Sequence, residues 1–101
     1  MLQGDTYSLG IRILNNGLSP VTPEDVTDVE ITVGHLRKSY RNGQVSFFEG
    51  VWMFPLSQTE SFDYRAGAVP AQVRVKWANG AVEGTPLYGV RVAESISKEV
   101  L

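Results

Sequence analysis

The chain has 101 residues, of which 43% are hydrophobic, and its 9 basic and 11 acidic residues give a formal net charge of −2. One domain over residues 1–101 is expected at this length, and the absence of cysteine excludes disulfides, thiolate metal sites and cysteine nucleophiles. The basic residues are dispersed, no segment has the roughly 18 apolar residues of a membrane span, and the N-terminus lacks a signal-peptide pattern, so neither nucleic acid nor a membrane is an expected partner.

The first two predicted strands, over residues 5–14 and 27–34, alternate apolar and polar side chains. Their apolar positions are Tyr7, Leu9, Ile11 and Ile13 in the first strand, and Val29, Ile31 and Val33 in the second. A period of two residues is typical of a strand that buries one face, so these positions are expected in the core. The turn residues Asn15, Asn16 and Gly17 end the first strand.

A short helical turn is predicted between these two strands. Thr22 can cap it, Pro23 fits the first helical position, and Glu24 and Asp25 suit the positive end of the helix dipole. Alternation resumes at Thr27, so only a single short turn fits. Because the EF-hand spacing is absent, we interpret the acidic residues as a solvated loop and not as a calcium site.

The pair Asn42-Gly43 predicts a β-hairpin, because Asn-Gly accommodates the positive φ angles of a tight two-residue turn. Such a turn would place Tyr40 opposite Val45 and Lys38 opposite Phe47.

A further turn is predicted at Glu49-Gly50, before a strand over residues 51–56. In that strand Trp52, Phe54 and Leu56 share the face expected in the core. Residues 57–68 lack strand alternation and are expected to form a loop with one helical turn, ending at Gly67.

The last predicted hairpin joins residues 73–78 to residues 81–86 through Asn79-Gly80. A type I′ turn is expected there, with positive φ at both turn residues. The pairs that this register predicts are Lys76 with Glu83 and Trp77 with Val82. Val73, Val75 and Trp77 are expected to face the core.

These patterns together predict an all-β fold. Strands at roughly 8–12-residue spacing, with turn signals between them and almost no helix, are typical of an antiparallel sandwich or small barrel. We expect a single antiparallel β-sandwich, immunoglobulin-like, with about seven strands and no disulfide.

The sequence offers little catalytic chemistry. His35 is the single histidine, and a histidine-based metal site would need partners that the chain does not supply in kind. A nucleophile elbow and a phosphate-binding loop are both absent. A Ser–His–Asp triad stays open on composition alone, but we predict no enzyme, no cofactor, and no catalytic, cofactor-binding or metal residues.

Apolar residues on both faces of two neighbouring strands point to something that covers the outside of the sandwich. Phe47 and Phe48 are adjacent and therefore point to opposite faces, and Met53 lies on the face opposite Trp52. The residues predicted for an interface are Phe47 or Phe48, whichever faces outward, together with Met53, Ile96 and Val100. Scattered surface hydrophobes and a carbohydrate-binding aromatic platform, which would need exposed Trp52 and Trp77, are the open alternatives.

Several segments together resemble a known protein family. They are QGDTYSLGIRIL, VTDVEITVG, GVWMFPLS, VPAQVRVKWANGAVEGT and the closing VRVAESIS. The sequence is similar to the immunoglobulin-like N-terminal domain of baseplate upper proteins from tailed phages of Gram-positive bacteria. It also resembles small prophage proteins that are encoded among tail genes. The resemblance covers nearly the whole chain.

What the resemblance implies is a structural subunit of the virion, assembled in the bacterial cytoplasm. Its implied partners are phage tail or baseplate proteins, and further copies of itself in a homo-oligomer. In the family, this domain presents receptor-binding parts through a helical stalk. No heptad stalk or receptor domain follows Leu101 here, so we expect a structural role and not direct host-receptor binding. The alternative function is a carbohydrate-binding module.

Overall fold

The computed structural model describes residues 1–15, 19–85, 88–95 and 97, and for Tyr88 it describes the backbone. Its strands are β1 (Tyr7–Ile11), β2 (Leu14–Asn15), β3 (Ser19–Pro20), β4 (Val26–Val33), β5 (Leu36–Ser39), β6 (Ser46–Phe48), β7 (Val51–Leu56), β8 (Gly67–Trp77), β9 (Val82–Gly84) and β10 (Tyr88–Val92). One turn of 3-10 helix spans Pro23–Asp25, and a short α-helix, α1, spans Gln58–Phe62. No helix in these ranges is long and apolar enough to cross a bilayer.

Two antiparallel sheets pack face to face as a β-sandwich, which confirms the predicted fold class. The smaller sheet has the strand order β1-β7-β6. The larger sheet has the order β10-β8-β4-β5, and β9 pairs with the C-terminal part of β8. If β1 is labelled B, and β9 and β10 share the place of strand G, these are the B-E-D and G-F-C-C′ orders of an immunoglobulin-like sandwich.

The core lies between the inner faces of the two sheets. Trp52 and Phe54 of β7 are fully buried, and so are the inward residues of β4. The buried positions of β4 and β8 are Val29, Ile31, Val33, Val69, Ala71, Val73 and Val75. Alternation had predicted the inner faces of β4, β7 and β8, and the structure confirms them. Trp77, at the end of β8, is only half-buried.

The predicted helical turn is confirmed at Pro23–Asp25. Thr22 is its N-cap, and the Asp25 carboxylate accepts hydrogen bonds from the Thr22 N–H (3.0 Å) and the Thr22 hydroxyl (3.1 Å). The turn positions Val21 in the core, where the Val21 carbonyl accepts a hydrogen bond from the Trp52 Nε1 (3.1 Å). Asp25 is therefore part of a capping arrangement.

The predicted hairpin at Asn42-Gly43 is wrong, because the strands on either side of it belong to different sheets. β5 pairs with β4 across a turn at Gly34-His35, and β6 pairs with β7. Between β5 and β6 the chain crosses the sandwich. The physical reason lies in the core, where Val45 is buried and the Tyr40 ring packs edge-on against Trp52 at 5.2 Å. Burial of Val45 and Tyr40 between the sheets stabilises the fold more than a local Asn-Gly hairpin turn would.

The predicted register of the last hairpin is also wrong, by one residue. Lys76 lies opposite Val82, and Val75 lies opposite Glu83. The loop has three residues, since the Trp77 N–H donates to the Ala81 carbonyl (2.8 Å), and the Asn79 side-chain oxygen accepts the Ala81 N–H (2.9 Å). Gly80 has a φ of 90°, whereas Asn79 has no positive φ. This is the pattern of a type I turn followed by a left-handed glycine.

A capped α-helix, α1, connects β7 to β8, which confirms the helical turn predicted within residues 57–68. The Ser57 hydroxyl accepts the Glu60 N–H (3.2 Å), and the Glu60 carboxylate accepts the Ser57 N–H (2.9 Å), as in a capping box. Lys38 lies opposite Ile31 on the inner face of β5, where its ammonium donates to Glu60 (3.0 Å) and to the Pro55 carbonyl (2.6 Å). Lys38 thus connects the larger sheet to the end of β7.

Glu60 should stabilise the sandwich more at neutral pH than in acid. The hydrogen bond from the Ser57 N–H, together with the Lys38 ammonium, lowers the pKa of Glu60 below its ordinary value. A carboxyl group with a lowered folded-state pKa contributes stability above its unfolded pKa, and this stability is lost as the pH falls through the folded pKa. We expect the Tm difference between wild type and Glu60→Gln to be largest near neutral pH and to shrink below about pH 4, in thermal unfolding followed by circular dichroism. A difference of equal size at both pH values would contradict this role.

Candidate association surface

The outer face of the smaller sheet carries no charged side chain within its three strands. Because residues paired across two strands share a face, the strand register identifies the outward positions. They are Ser8 and Gly10 in β1, Val51, Met53 and Pro55 in β7, and Ser46 and Phe48 in β6. We call Phe48, Val51, Met53 and Pro55 the outer apolar strip.

Phe48 dominates the outer apolar strip. It is 66% exposed, the largest exposed fraction among the large hydrophobic residues that the structure describes. Phe48 lies directly opposite Val51 and diagonally across from Met53, which pairs with Ser46. Diagonal neighbours in a sheet are within reach of aromatic and long side chains. The strip is therefore one continuous apolar surface.

The turn at Glu49-Gly50 fixes the orientation of Phe48. Both turn residues have positive φ, 48° at Glu49 and 82° at Gly50, as a two-residue type I′ hairpin requires. This turn aligns Phe48 with Val51. Since successive residues of a strand point to opposite faces, Phe48 points outward and Phe47 points inward.

Gly10 allows side chains of β7 to lie close over β1. A β-carbon at position 10 would lie 2.9 Å from Cγ1 of Val51 and 3.7 Å from the Met53 sulfur. A larger residue here would displace Val51 and raise the surface locally. The absence of a side chain at Gly10 thus leaves space for Val51 over β1.

The outer face of the larger sheet has the opposite character. Its outward side chains include Asp28, Glu30, Arg37, Arg74, Lys76 and Arg91. Glu30 lies opposite Arg74, and Asp28 lies opposite Lys76. Such opposite-charge pairs across strands suit a face in contact with water. Of the two outer faces, the one that lacks charge is that of the smaller sheet.

The structure separates the residues that the sequence predicted for an interface. Phe48 and Met53 lie together in the outer apolar strip. Phe47 points into the core, where its ring centroid is 4.9 Å from that of Trp52. Ile96 and Val100 lie outside the described residues. Sequence reasoning did not select Val51 or Pro55, although the alternation that placed Met53 outward applies equally to them.

A cleft of about 550 Å³ lies at the end of the sandwich beside Trp77. Asp25, Asn79 and Glu83 contribute to its lining. Trp77 is half-buried, and its Nε1 is buried without a hydrogen-bond partner among the described residues. Trp52 is fully buried in the core. The two tryptophans therefore do not form an exposed aromatic platform.

His35 lies in the turn between β4 and β5, and its ring centroid is 5.0 Å from that of Tyr64. The Tyr64 hydroxyl donates to the Val33 carbonyl (2.6 Å), and burial raises the pKa of Tyr64 to about 12. Tyr64 is thus protonated at neutral pH and joins the start of β8 to the end of β4. Within residues 1–15, 19–85, 88–95 and 97, no group of three or more His, Cys, Asp or Glu residues is placed to hold a metal ion.

Comparison with known proteins finds no match to any family model, to any curated protein or to any solved structure. The candidate surface is therefore interpreted from its own residues.

Proposed function

We propose that this chain is a non-enzymatic structural subunit of a phage or prophage tail or baseplate, which acts by binding other proteins of that assembly. The observation that carries the proposal is the outer apolar strip, an uncharged sheet face with a largely exposed Phe48. The resemblance of its sequence segments to phage baseplate domains supports this kind of assembly and a location in the virion.

Association through the outer apolar strip would gain free energy from burial of apolar surface. Full burial of a phenylalanine side chain contributes roughly 1.5–3 kcal/mol, so Phe48 is the expected anchor. A specific interface buries on the order of 1,200 Å² or more in total. The partner is therefore expected to contact the rim of the strip as well, where Ser8 and Ser46 offer hydroxyl groups.

The strip can be tested with lysine substitutions that leave the fold intact. We expect Phe48→Lys or Met53→Lys to weaken partner binding by about tenfold or more, because a charge would be buried in an apolar contact. The probes are the purified products of the genes that flank this one, mixed with the chain and measured by size-exclusion chromatography with light scattering. Val82→Lys is the matched control, since Val82 is 51% exposed but lies on the outer face of the larger sheet.

Two results would contradict this function. One is that no flanking gene product binds, and the other is that Val82→Lys weakens binding as much as Phe48→Lys. Retention of the monomeric chain on a polysaccharide column, with loss of retention in Trp77→Ala, would favour a carbohydrate-binding module that uses the cleft beside Trp77.

A further inference from the structure

Among the described strands, β1 has the least protected free edge. β6 is only three residues long, β5 carries Arg37 and Lys38, and β10 is joined by the parallel bridge of Leu2 with Ala93. β1 has five residues and ends the smaller sheet, with no described strand beyond it. It contains no charge and no proline, which are the common devices that prevent one strand edge from pairing with another.

The turn at Glu49-Gly50 determines which backbone groups point to this edge. Residues that flank a two-residue hairpin turn exchange both of their hydrogen bonds, so the backbone groups of Val51 point towards β6. Along a strand, the backbone groups of every second residue point to the same side. The backbone groups of Met53 and Pro55, like those of Val51, therefore point towards β6 and away from β1. Lys38 binds the Pro55 carbonyl, in agreement with this direction.

Ser8 and Gly10 therefore direct their N–H and C=O groups at the free edge, because they lie opposite Pro55 and Met53. Both residues are exposed, and neither backbone makes a hydrogen bond outside the β1–β7 ladder in the described chain. The edge thus offers two donors and two acceptors at a spacing that an added antiparallel strand can match.

The inner side of the same edge is apolar and incompletely covered. Tyr7, Leu9 and Ile11 point inward and pack against the core, yet each is only half-buried. A strand added to β1 would cover these three side chains if every second residue of that strand were apolar and pointed inward. β1 itself has that pattern.

We propose that a second copy of this chain adds to the edge, with the two β1 strands antiparallel about a two-fold axis at Leu9. Ser8 of each copy then pairs with Gly10 of the other, giving four backbone hydrogen bonds, and the two Leu9 side chains meet on the inner side. The two smaller sheets become one six-stranded sheet. This pairing goes beyond the proposed function, since it uses the edge and not the outer apolar strip.

Charge at the two ends of the pairing supports a second copy as the occupant. The register places Arg12 of one copy opposite Thr6 of the other and next to Asp5. Asp5 and Arg12 are both exposed, and neither forms an ion pair with another described residue. The two-fold axis therefore brings opposite charges near each other at both ends of the pairing, and no like charges face each other along the paired strands.

Sedimentation equilibrium of the purified chain tests the pairing. An edge contact of this length is smaller than a stable interface, so we expect a weak dimer that is detectable by about 1 mM. Ser8→Pro removes the edge N–H but suits an edge strand, and it should weaken the dimer by roughly tenfold or more. Ser8→Ala keeps the N–H and should dimerise as wild type does. Circular dichroism verifies that both variants fold.

A charge exchange tests the register independently. Arg12→Asp should weaken the dimer, and Asp5→Arg combined with Arg12→Asp should restore it. Phe48→Lys should leave dimerisation unchanged, whereas it should weaken binding to flanking gene products by about tenfold or more. The pairing is overturned if wild type is monomeric at about 1 mM, if Ser8→Pro dimerises normally, if the double exchange fails to restore the dimer, or if Phe48→Lys dissociates it.

Discussion

Replacing Trp52 with alanine is expected to lower the free energy of unfolding by about 3–5 kcal/mol, the range for large aromatic residues in a core. Trp52 is fully buried, and its ring meets Tyr40 and Phe47 edge-on at centroid distances of 5.2 and 4.9 Å. Its Nε1 also donates to the Val21 carbonyl. The substitution therefore leaves a cavity and removes the partner of a buried carbonyl. Urea unfolding followed by circular dichroism measures the loss.

Trp77→Ala is the matched control for Trp52→Ala. Trp77 is only half-buried and its Nε1 has no described hydrogen-bond partner, so less contact and no such hydrogen bond are lost. We expect its effect to be clearly smaller than that of Trp52→Ala. Equal losses in the two variants would contradict the placement of Trp52 at the centre of the sandwich.

Gly34→Ala is expected to lower the free energy of unfolding by roughly 2–5 kcal/mol. Gly34 has a φ of 58°, and an alanine in this left-handed region is strained by about 1–2 kcal/mol. The added β-carbon would also lie 2.9 Å from Cγ1 of Val69 and 3.0 Å from Cε1 of Tyr64, both buried. Overpacking of this kind adds roughly 1–3 kcal/mol.

Gly80→Ala separates the two contributions at Gly34. Gly80 also has a positive φ, 90°, but a β-carbon there would meet nothing within 4 Å. We expect Gly80→Ala to show the backbone strain alone, about 1–2 kcal/mol. If Gly34→Ala and Gly80→Ala have the same effect in urea unfolding, then Val69 and Tyr64 do not crowd position 34 as the structure indicates.

The strands and their inner faces could be predicted from the sequence because alternation is a local signal. In β4 from Val29 onward, and throughout β7, every second residue is buried, and these are the residues that the apolar pattern selected, such as Ile31 and Trp52. The capped turn at Thr22 was predicted for the same reason, since it uses residues within one turn, whereas the Ser57 cap of the helical turn predicted within residues 57–68 was not.

Pairing partners could not be predicted, because they depend on contacts far apart in the sequence. Asn42-Gly43 has the composition of a hairpin turn, but Val45 and Tyr40 fill the space between the sheets and the chain crosses there. The loop at Asn79-Gly80 was predicted to have two residues, but it has three. The hydrogen bond from the Ala81 N–H to the Asn79 side chain favours the longer loop.

The candidate surface was predictable in part. The sequence indicated that one of Phe47 and Phe48 faces outward, and the turn at Glu49-Gly50 decides that it is Phe48. The free edge of β1 has no sequence signature, because it follows from the absence of a neighbouring described strand beside residues 7–11. Only the sheet order reveals it.

Quantitative mass spectrometry of phage tail particles, purified from the organism that encodes this chain, tests the central claim most directly. The proposed function predicts that the chain is present in the particles at a fixed ratio to a tail or baseplate protein. It also predicts that Phe48→Lys is absent from the particles while folded protein persists in the cell lysate. Absence of the wild-type chain from the particles, or normal incorporation of Phe48→Lys, would contradict the account.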